Sequence, residues 1–533
     1  MTGDAATKPI KRPLSLIGVG DVLARSIVEH ERVYLLVAVA AFGLRATYRS
    51  LMIPLWFDEF FTLFLSRLSS LSDLLHAMPA DGQPPLQYFL THASLRLFGE
   101  TEFGLRLPEV LAYVAVGLLT YRIVRKHGTA VESLFALMLV MGAVIVRNAA
   151  CTARPYCLLL AFTTFTFACW QEATLRENHR GIFLCGVSSG LAGAILSHHY
   201  GVIHVGLFLL AGEVTRVIQR RRLDMLMLLS VAIGLLPLAF TVPLAHQSRL
   251  ILGEAITRSP VFWAKPRLAH LLDYIQFVSL PLLSLAVMAV ILIGTTGSGA
   301  ARKSPVSSTS LHVWVAGTAL AFLYPVQLIL ARLTTDYFHP RYAISSALGL
   351  ALLCVWTFQR RAFGLKWAQA LAVSTVIYLC CFILFQLAIQ VIRPAWTADP
   401  ASKAVSPLIT NPVGDLPIVV TPGLSGVHFD FLAQWWYSPP EVRQRLMFLY
   451  DLPQDLQLTD FLGEISMDTD RKYMPFPIYA YSAFIENHSQ FLLICSKQPE
   501  MPNKLERLMK DGWGLQPIAD SKRERLFLVT RQQ

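Results

Sequence analysis

Two adjacent carboxylates, Asp58 and Glu59, stand in the stretch Trp-Phe-Asp-Glu-Phe-Phe (residues 56–61), just where a mostly apolar run beginning at Arg32 gives out. Acids in that position can simply open a helix, because the macrodipole and the free N–H groups of the first turn favour negative charge. Hemmed in by Trp56, Phe57, Phe60 and Phe61, they can also do chemistry. A carboxylate at the edge of an apolar layer is placed to deprotonate a hydroxyl arriving from water, or to hold a divalent cation. Cations that would face such a pair are Arg106, Arg147, Arg154, Arg332 and Arg341, each near the end of an apolar run. Ala-Arg-Pro-Tyr (153–156) and His-Pro-Arg-Tyr (339–342) set Arg154 beside Tyr156 and Arg341 beside Tyr342. A guanidinium there either snorkels to the interface or grips a phosphate with two parallel N–H bonds. Gln83, before Pro84-Pro85, and His198-His199, in the turn Ser-His-His-Tyr-Gly, complete the polar candidates. The histidine pair hints weakly at metal, and no His-x-x-x-His spacing backs it.

The elements that position these residues follow from composition. Of 533 residues, 54% are hydrophobic and 15% charged, against about 25% charged in a soluble domain. Apolar runs long enough to cross a hydrocarbon core about 30 Å thick recur along the chain. They are expected at 33–56, 107–122, 131–148, 155–172, 181–197, 201–217, 223–243, 274–294, 311–331, 341–358 and 367–392. The fold class expected is therefore a polytopic α-helical membrane protein of about 11 transmembrane helices. Lys and Arg concentrate in alternate connections such as 121–128, 216–224 and 358–366 and in the basic segment before the first span. By the positive-inside rule the N-terminus lies in the cytoplasm and the C-terminus outside. The first span reads as an uncleaved anchor. That placement accounts for most of the net charge of +11, and no basic stripe falls on a soluble module, so nucleic acid is not an expected partner. The eight cysteines form no disulfide framework or metal spacing.

Residues 1–32 read as a basic cytoplasmic tail, 33–392 as the membrane bundle, and 393–533 as an extracytoplasmic α/β domain. Within the bundle, 57–106 is a first external loop with interfacial helices. Phe60, Phe64, Leu68, Leu71 and Leu75 make one apolar stripe. Leu86, Phe89, Ala93 and Leu97 make a second, after a Pro-Pro helix start. In the last domain, Leu-Pro-Ile-Val-Val (416–420), Phe-Leu-Leu-Ile-Cys (491–495) and Leu-Phe-Leu-Val-Thr (526–530) read as strands. Residues 428–438 and 504–513 carry helical spacing.

Taken together and in this order, Trp-Phe-Asp-Glu-Phe-Phe-Thr, Asp-Gly-Gln-Pro-Pro, Arg-Leu-Pro (106–108), Ala-Arg-Pro-Tyr, Ser-His-His-Tyr-Gly and His-Pro-Arg-Tyr resemble the polyprenyl-phosphate-sugar-dependent glycosyltransferases of the C-type superfold. Relatives include the protein O-mannosyltransferases and the lipid A aminoarabinose transferase. The resemblance covers about residues 30–390. It implies inverting transfer of a sugar from a polyprenyl-phosphate donor to an extracytoplasmic acceptor hydroxyl on a protein, lipid or polysaccharide, at the cytoplasmic (inner) membrane. It implies Asp58 as catalytic carboxylate and Glu59 as a supporting or metal-binding acid. Arg154, Arg341 and Arg106 would bind the donor phosphate, and Gln83, Tyr156, His198, His199 and Tyr342 would belong to the substrate site. Many relatives have His where this chain has Gln83, a poor ligand for a transition metal but tolerable for Mg²⁺ or Ca²⁺. A divalent cation is thus the one cofactor left open.

The chemistry agrees with that role. A glycosidase needs a second carboxyl group to protonate an alcohol leaving group. A polyprenyl phosphate leaves readily on its own, so one base and a cationic clamp suffice. A flippase for the same lipid would instead want polar groups along a crossing path, and acids within the spans are rare. A scaffold presenting the last domain would leave the acid pair unexplained.

Overall fold

The computed structural model describes residues 16–258, 265–279, 309–334, 337–360, 364–392, 405–409, 414–420, 429–451, 467–497, 504–521 and 524–531. Helices α1 (Leu16–Glu29) and α2 (Glu31–Met52) lead to three short helices, α3 (Phe57–Ser66), α4 (Leu71–Asp81) and α5 (Leu86–Phe98). The bundle continues with α6 (Glu102–Arg125), α7 (Ala130–Gly142), α8 (Val144–Ala149), α9 (Tyr156–Leu175), α10 (Arg180–Ser197) and α11 (Gly201–Arg220). It closes with α12 (Met225–Gly234), α13 (Leu238–Arg258), α14 (Leu311–Ala321), α15 (Leu323–Thr334), α16 (Ser346–Arg360) and α17 (Gly364–Ile392).

The chain is a polytopic helical membrane protein. Among the described residues α2, α6, α10, α11 and the 369–389 stretch of α17 are each long and apolar enough to cross a membrane. The pairs α12–α13 and α14–α15 qualify together, bent by 41° and 52°. Large apolar side chains such as Leu36, Leu44, Ile182, Leu210 and Leu226 are exposed on these helices. Water would not tolerate so many outward-facing on one bundle, but hydrocarbon does. The expected span 274–294 lies, beyond Ser279, outside the described residues.

Two expectations change. The span expected at 131–148 breaks after Gly142, because Ala143 leaves helical geometry (ψ 132°), and a new helix, α8, starts there. The first of the two interfacial stripes expected in the first loop does not lie on one helix. The chain leaves helix at Arg67, and Ser70 caps a new start by accepting from Asp73 N–H. Phe60 and Phe64 therefore turn away from lipid into a buried cluster with Trp435 and Phe476, whereas Leu71 and Leu75 stay exposed. On α5 the exposed Phe89, Leu90 and Leu97 do form an outward apolar face.

The last domain is a six-stranded sheet: β1 (Ile418–Val420), β2 (Leu446–Tyr450), β3 (Ile478–Ala480), β4 (Gln490–Ser496), β5 (Trp513–Asp520) and β6 (Glu524–Arg531). The order is β3-β2-β1-β4-β6-β5, parallel from β3 to β4 and antiparallel beyond. The strand β5 contains Gly514 and Pro517, which obscure it in sequence. It occupies the sheet edge, where a proline costs no ladder bond, and the register shifts beside it. The domain rests on the first loop. Phe64 meets Trp435 and Phe476 edge-on at 6.1 and 5.9 Å, and Tyr437 donates to Glu102 while accepting from Leu55 N–H.

Candidate active site

Neighbouring acids on α3 have opposite fates. Glu59 is 1% exposed, and both of its oxygens are fully engaged. Oε1 accepts from Arg106 Nε and Ala153 N–H, both at 2.7 Å; Oε2 accepts from Arg106 Nη2 at 2.6 Å and from Trp56 N–H at 3.1 Å. The bond to Trp56 is the reach-back of an N-terminal cap, so the helix-start reading holds for this residue. The remaining Arg106 donors go to the carbonyls of Ser50, Ile53 and Pro54. Every N–H of that guanidinium is thus spent inside the protein. This corrects the expectation that Arg106 binds phosphate: it ties the end of α2 to the start of α3 and, through Glu59, to residue 153.

Asp58 is the acid left facing the other two arginines. Its Oδ2 lies 3.2 Å from Arg341 Nη2 and 3.8 Å from Arg154 Nε, with no aligned hydrogen bond to either. The two arginines are held differently. Arg154 Nη1 donates to both oxygens of Asp81 at 2.9 Å and to Asp58 O at 3.3 Å. Asp81 also accepts from the Tyr88 hydroxyl. Arg341 is held by faces as well as by Asp58: its guanidinium lies over the rings of Trp56, Tyr156 and Tyr342 at 5.5, 5.2 and 5.9 Å. Burial disfavours the charge on each, yet the surrounding carboxylates and phenols keep both firmly protonated.

Beside Arg341 opens a cavity of about 400 Å³, lined by Trp56, Tyr156 and Arg341 together with apolar Ile145, Ala149 and Phe338. Asn148, Thr152, His270, Asp273 and His339 supply its polar edge. A charged head beside an apolar wall suits a lipid-linked anion. The α9 helix that carries Tyr156 is fixed from across the bundle. Glu109, which follows the Arg-Leu-Pro motif on α6, accepts from Cys157 and Leu158 N–H at 2.8 and 3.1 Å. It thereby satisfies donors that a helix start leaves free.

The other candidates gather at the same end of the bundle. Tyr342 stacks near Tyr156, His198 and Tyr200, and its hydroxyl donates to Tyr337 at 2.7 Å. His198 accepts from Tyr200 N–H through Nδ1, and His199 Nε2 lies 3.1 Å from Gly82 O. Burial holds these rings neutral, with His199 pushed down to about 4 and His339 to about 3. Gln83 follows Gly82, and its Oε1 is buried without a hydrogen-bond partner. Asp81, Tyr88 and Asp470 were not singled out from sequence. Asp81 opens the Asp-Gly-Gln-Pro-Pro stretch, but its role shows only when α4 meets Arg154. Asp470 comes from the last domain, buried near Asp81.

The carboxylates as placed do not fit a divalent cation. Glu59 is saturated by Arg106 and backbone N–H groups, and Asp58 faces two guanidiniums. No three His, Cys, Asp or Glu side chains converge on a metal position among the described residues.

Residues 82–241 match the family model of the dolichyl-phosphate-mannose-protein mannosyltransferases. The match spans the Gly-Gln-Pro-Pro, Arg-Leu-Pro, Ala-Arg-Pro-Tyr and Ser-His-His-Tyr-Gly motifs and bears out the resemblance read from them. An uncharacterized protein of Aquifex aeolicus (strain VF5) is 30% identical over 114 residues, which is 21% of this chain and 22% of that relative. Similar solved structures include ArnT from Cupriavidus metallidurans bound to undecaprenyl phosphate (TM-score 0.43, 15% identity, 92% of this chain and 97% of that one). The archaeal oligosaccharyltransferase AglB from Archaeoglobus fulgidus, in complex with an inhibitory peptide and a dolichol-phosphate, gives a TM-score of 0.38 at 10% identity over 88% and 70%. The arabinosyltransferase EmbB from Mycobacterium smegmatis gives 0.35 at 13% identity over 92% and 45%.

Proposed function

We propose that this chain is an integral-membrane, inverting glycosyltransferase that moves a sugar from a polyprenyl-phosphate donor to an extracytoplasmic acceptor hydroxyl. The observation that carries the reading is Asp58 set between Arg154 and Arg341, the second of which lines a half-apolar cavity. The family-model match supports the donor class. The bundle lies in the cytoplasmic membrane with its N-terminus inside, so the site and the last domain face outward.

The donor phosphate binds at Arg341, whose fork is oriented by three aromatic faces, and the isoprenoid tail leaves along the apolar wall and the bilayer. Asp58 takes the proton from the acceptor hydroxyl. The acceptor oxygen bonds to the anomeric carbon on the face opposite the phosphate, and the bond from that carbon to the phosphate oxygen breaks. Its electron pair stays on the phosphate, where Arg341 balances the new charge in a poorly hydrated site. Arg154, locked by Asp81, keeps Asp58 aimed rather than gripping the lipid. No step is routed through a metal.

The test compares turnover of polyprenyl-phosphate sugars by the wild type and by Asp58→Asn, which keeps shape but loses the base. A loss of at least about a hundredfold with donor still bound is expected. Full turnover in the variant would reduce Asp58 to a helix-start residue. Donor carried across a bilayer but never consumed would make the protein a flippase.

A further inference from the structure

A second cationic cluster lies outside the site just described. Arg45 and Arg49 occupy consecutive turns of α2, and Arg147 sits on α8 on the side away from the cavity-lining Ile145, Asn148 and Ala149. Arg147 and Arg49 both bear electrostatically on the Arg45 guanidinium. Cys151, whose Sγ is 3.7 Å from Ala46 O, adjoins Arg45 and Arg49. Among the described residues none of the three arginines has an acidic partner, and the Nε atoms of Arg45 and Arg147 are buried without a hydrogen bond. The nearby acid, Glu59, is already saturated by Arg106. The Tyr113 hydroxyl is likewise spent on Met141 O.

Arginines below the membrane surface normally pair with acids or carbonyls. Simple snorkelling would carry these heads out into the headgroup layer, not leave two buried Nε atoms between α2, α8 and α17. Arg45 is seven residues before the end of α2, roughly 10 Å along the axis. Lipid-facing Leu44 on α2 and Leu384 and Phe385 on α17 lie outside it, and Phe42 packs against Phe382 at 4.4 Å. Among the described residues no acid balances this charge, and the open side of the cluster is the bilayer, where an anion would come at headgroup depth with an apolar chain attached. We infer that Arg45, Arg49 and Arg147 form a second binding site for a lipid-borne phosphate, on the opposite face of α8 from the Arg341 cavity. This goes beyond the transfer reading and stands without it. If transfer holds, the two sites place two lipid phosphates on either side of one short helix.

The experiment uses the full chain in nanodiscs of phosphatidylcholine alone, or doped with phosphatidylglycerol or a polyprenyl monophosphate. Retained lipid is counted by native mass spectrometry and the thermal midpoint is followed. The wild type is expected to retain and be stabilised by the anionic phosphate lipids, over zwitterionic phosphatidylcholine. The Arg45→Gln/Arg147→Gln variant should bind it at least about tenfold more weakly, as loss of charge-assisted bonds requires. In phosphatidylcholine alone that variant should melt higher than wild type, because like charges have been removed. With phosphatidylglycerol the Arg341→Gln variant should keep the lipid-dependent increment, and with the monophosphate it should still retain the lipid held by Arg45 and Arg147. Equal binding of both anionic lipids would identify an ordinary phospholipid as occupant; preference for the monophosphate would identify the carrier. Undiminished retention in the double variant, or stabilisation by inorganic phosphate alone, would overturn the assignment. Should the double variant not fold, Arg147→Gln alone supplies the same comparison.

Discussion

Asp58 and Glu59 differ by one position and by nearly everything else. A helix turns about 100° per residue, so when Glu59 is drawn inward to Arg106 and Ala153 N–H, Asp58 is presented to Arg341 and Arg154. The buried pair has a measurable consequence. Glu59→Gln leaves a buried guanidinium without its counter-ion, which is expected to cost about 3–5 kcal/mol. Thermal unfolding in detergent should show a large drop, with partial recovery in Glu59→Gln/Arg106→Met. An unchanged midpoint for the single variant would mean that the pair is not the clamp described. Asp470 offers a pH-dependent counterpart in the last domain. Burial and then the charge of Asp81 push its carboxyl up to about 8, with Lys472 opposing weakly. A raised folded pKa means that the folded state holds a proton the unfolded state has already lost. Stability should therefore fall as pH rises from the ordinary carboxylate range toward about 8. Asp470→Asn should flatten that decline and melt higher at pH 8. Parallel pH profiles for the two proteins would contradict it.

At the scale of elements, the site is assembled by three short pieces, α3, α4 and α8, and by the caps that stop and start them. The α3 helix is the joint between membrane and last domain, because its Phe64 is covered by Trp435 and Phe476. Phe64→Ala removes a buried aromatic worth about 3–5 kcal/mol. The last domain should then become more sensitive to limited protease, and turnover should fall as Trp56 and Asp58 lose their backing. Unaltered proteolysis would mean the domain is held elsewhere. Close helix approaches matter as well. A Cβ on Gly349 would fall 2.1 Å from the Ala321 backbone nitrogen, so the α14–α16 crossing requires glycine there.

At the scale of the molecule, two charged ends face opposite ways. Asp58, Arg154, Arg341 and the sheet domain share one end. Glu172, with Arg122, Lys126 and Arg176, and Asp224, with Arg180 and Arg216, mark the other. The basic end should be cytoplasmic. A membrane-impermeant thiol reagent added outside intact cells should therefore label Lys510→Cys and spare Glu177→Cys. The reverse pattern would invert the topology and put the site inside.

Much of this was legible without coordinates. Membrane spans are visible because burial in hydrocarbon demands long uninterrupted apolar runs, a local property of the chain. The motif residues were visible for a similar reason, since Arg-Pro-Tyr and Asp-Glu declare their chemistry wherever they sit. Strand β5 and the break after Gly142 were not legible, because edge position and a helix break depend on neighbours far along the chain. Nor could the chain alone assign roles among like residues. Arg106 and Arg341 look equivalent as written, yet one spends every donor on Glu59 and three carbonyls while the other rests on aromatic faces beside a cavity. Hydrogen-bond saturation is a property of the packed surroundings. Composition and spacing determined which groups were present and that they fall at the ends of apolar runs; only tertiary packing decided which of them were left free to act.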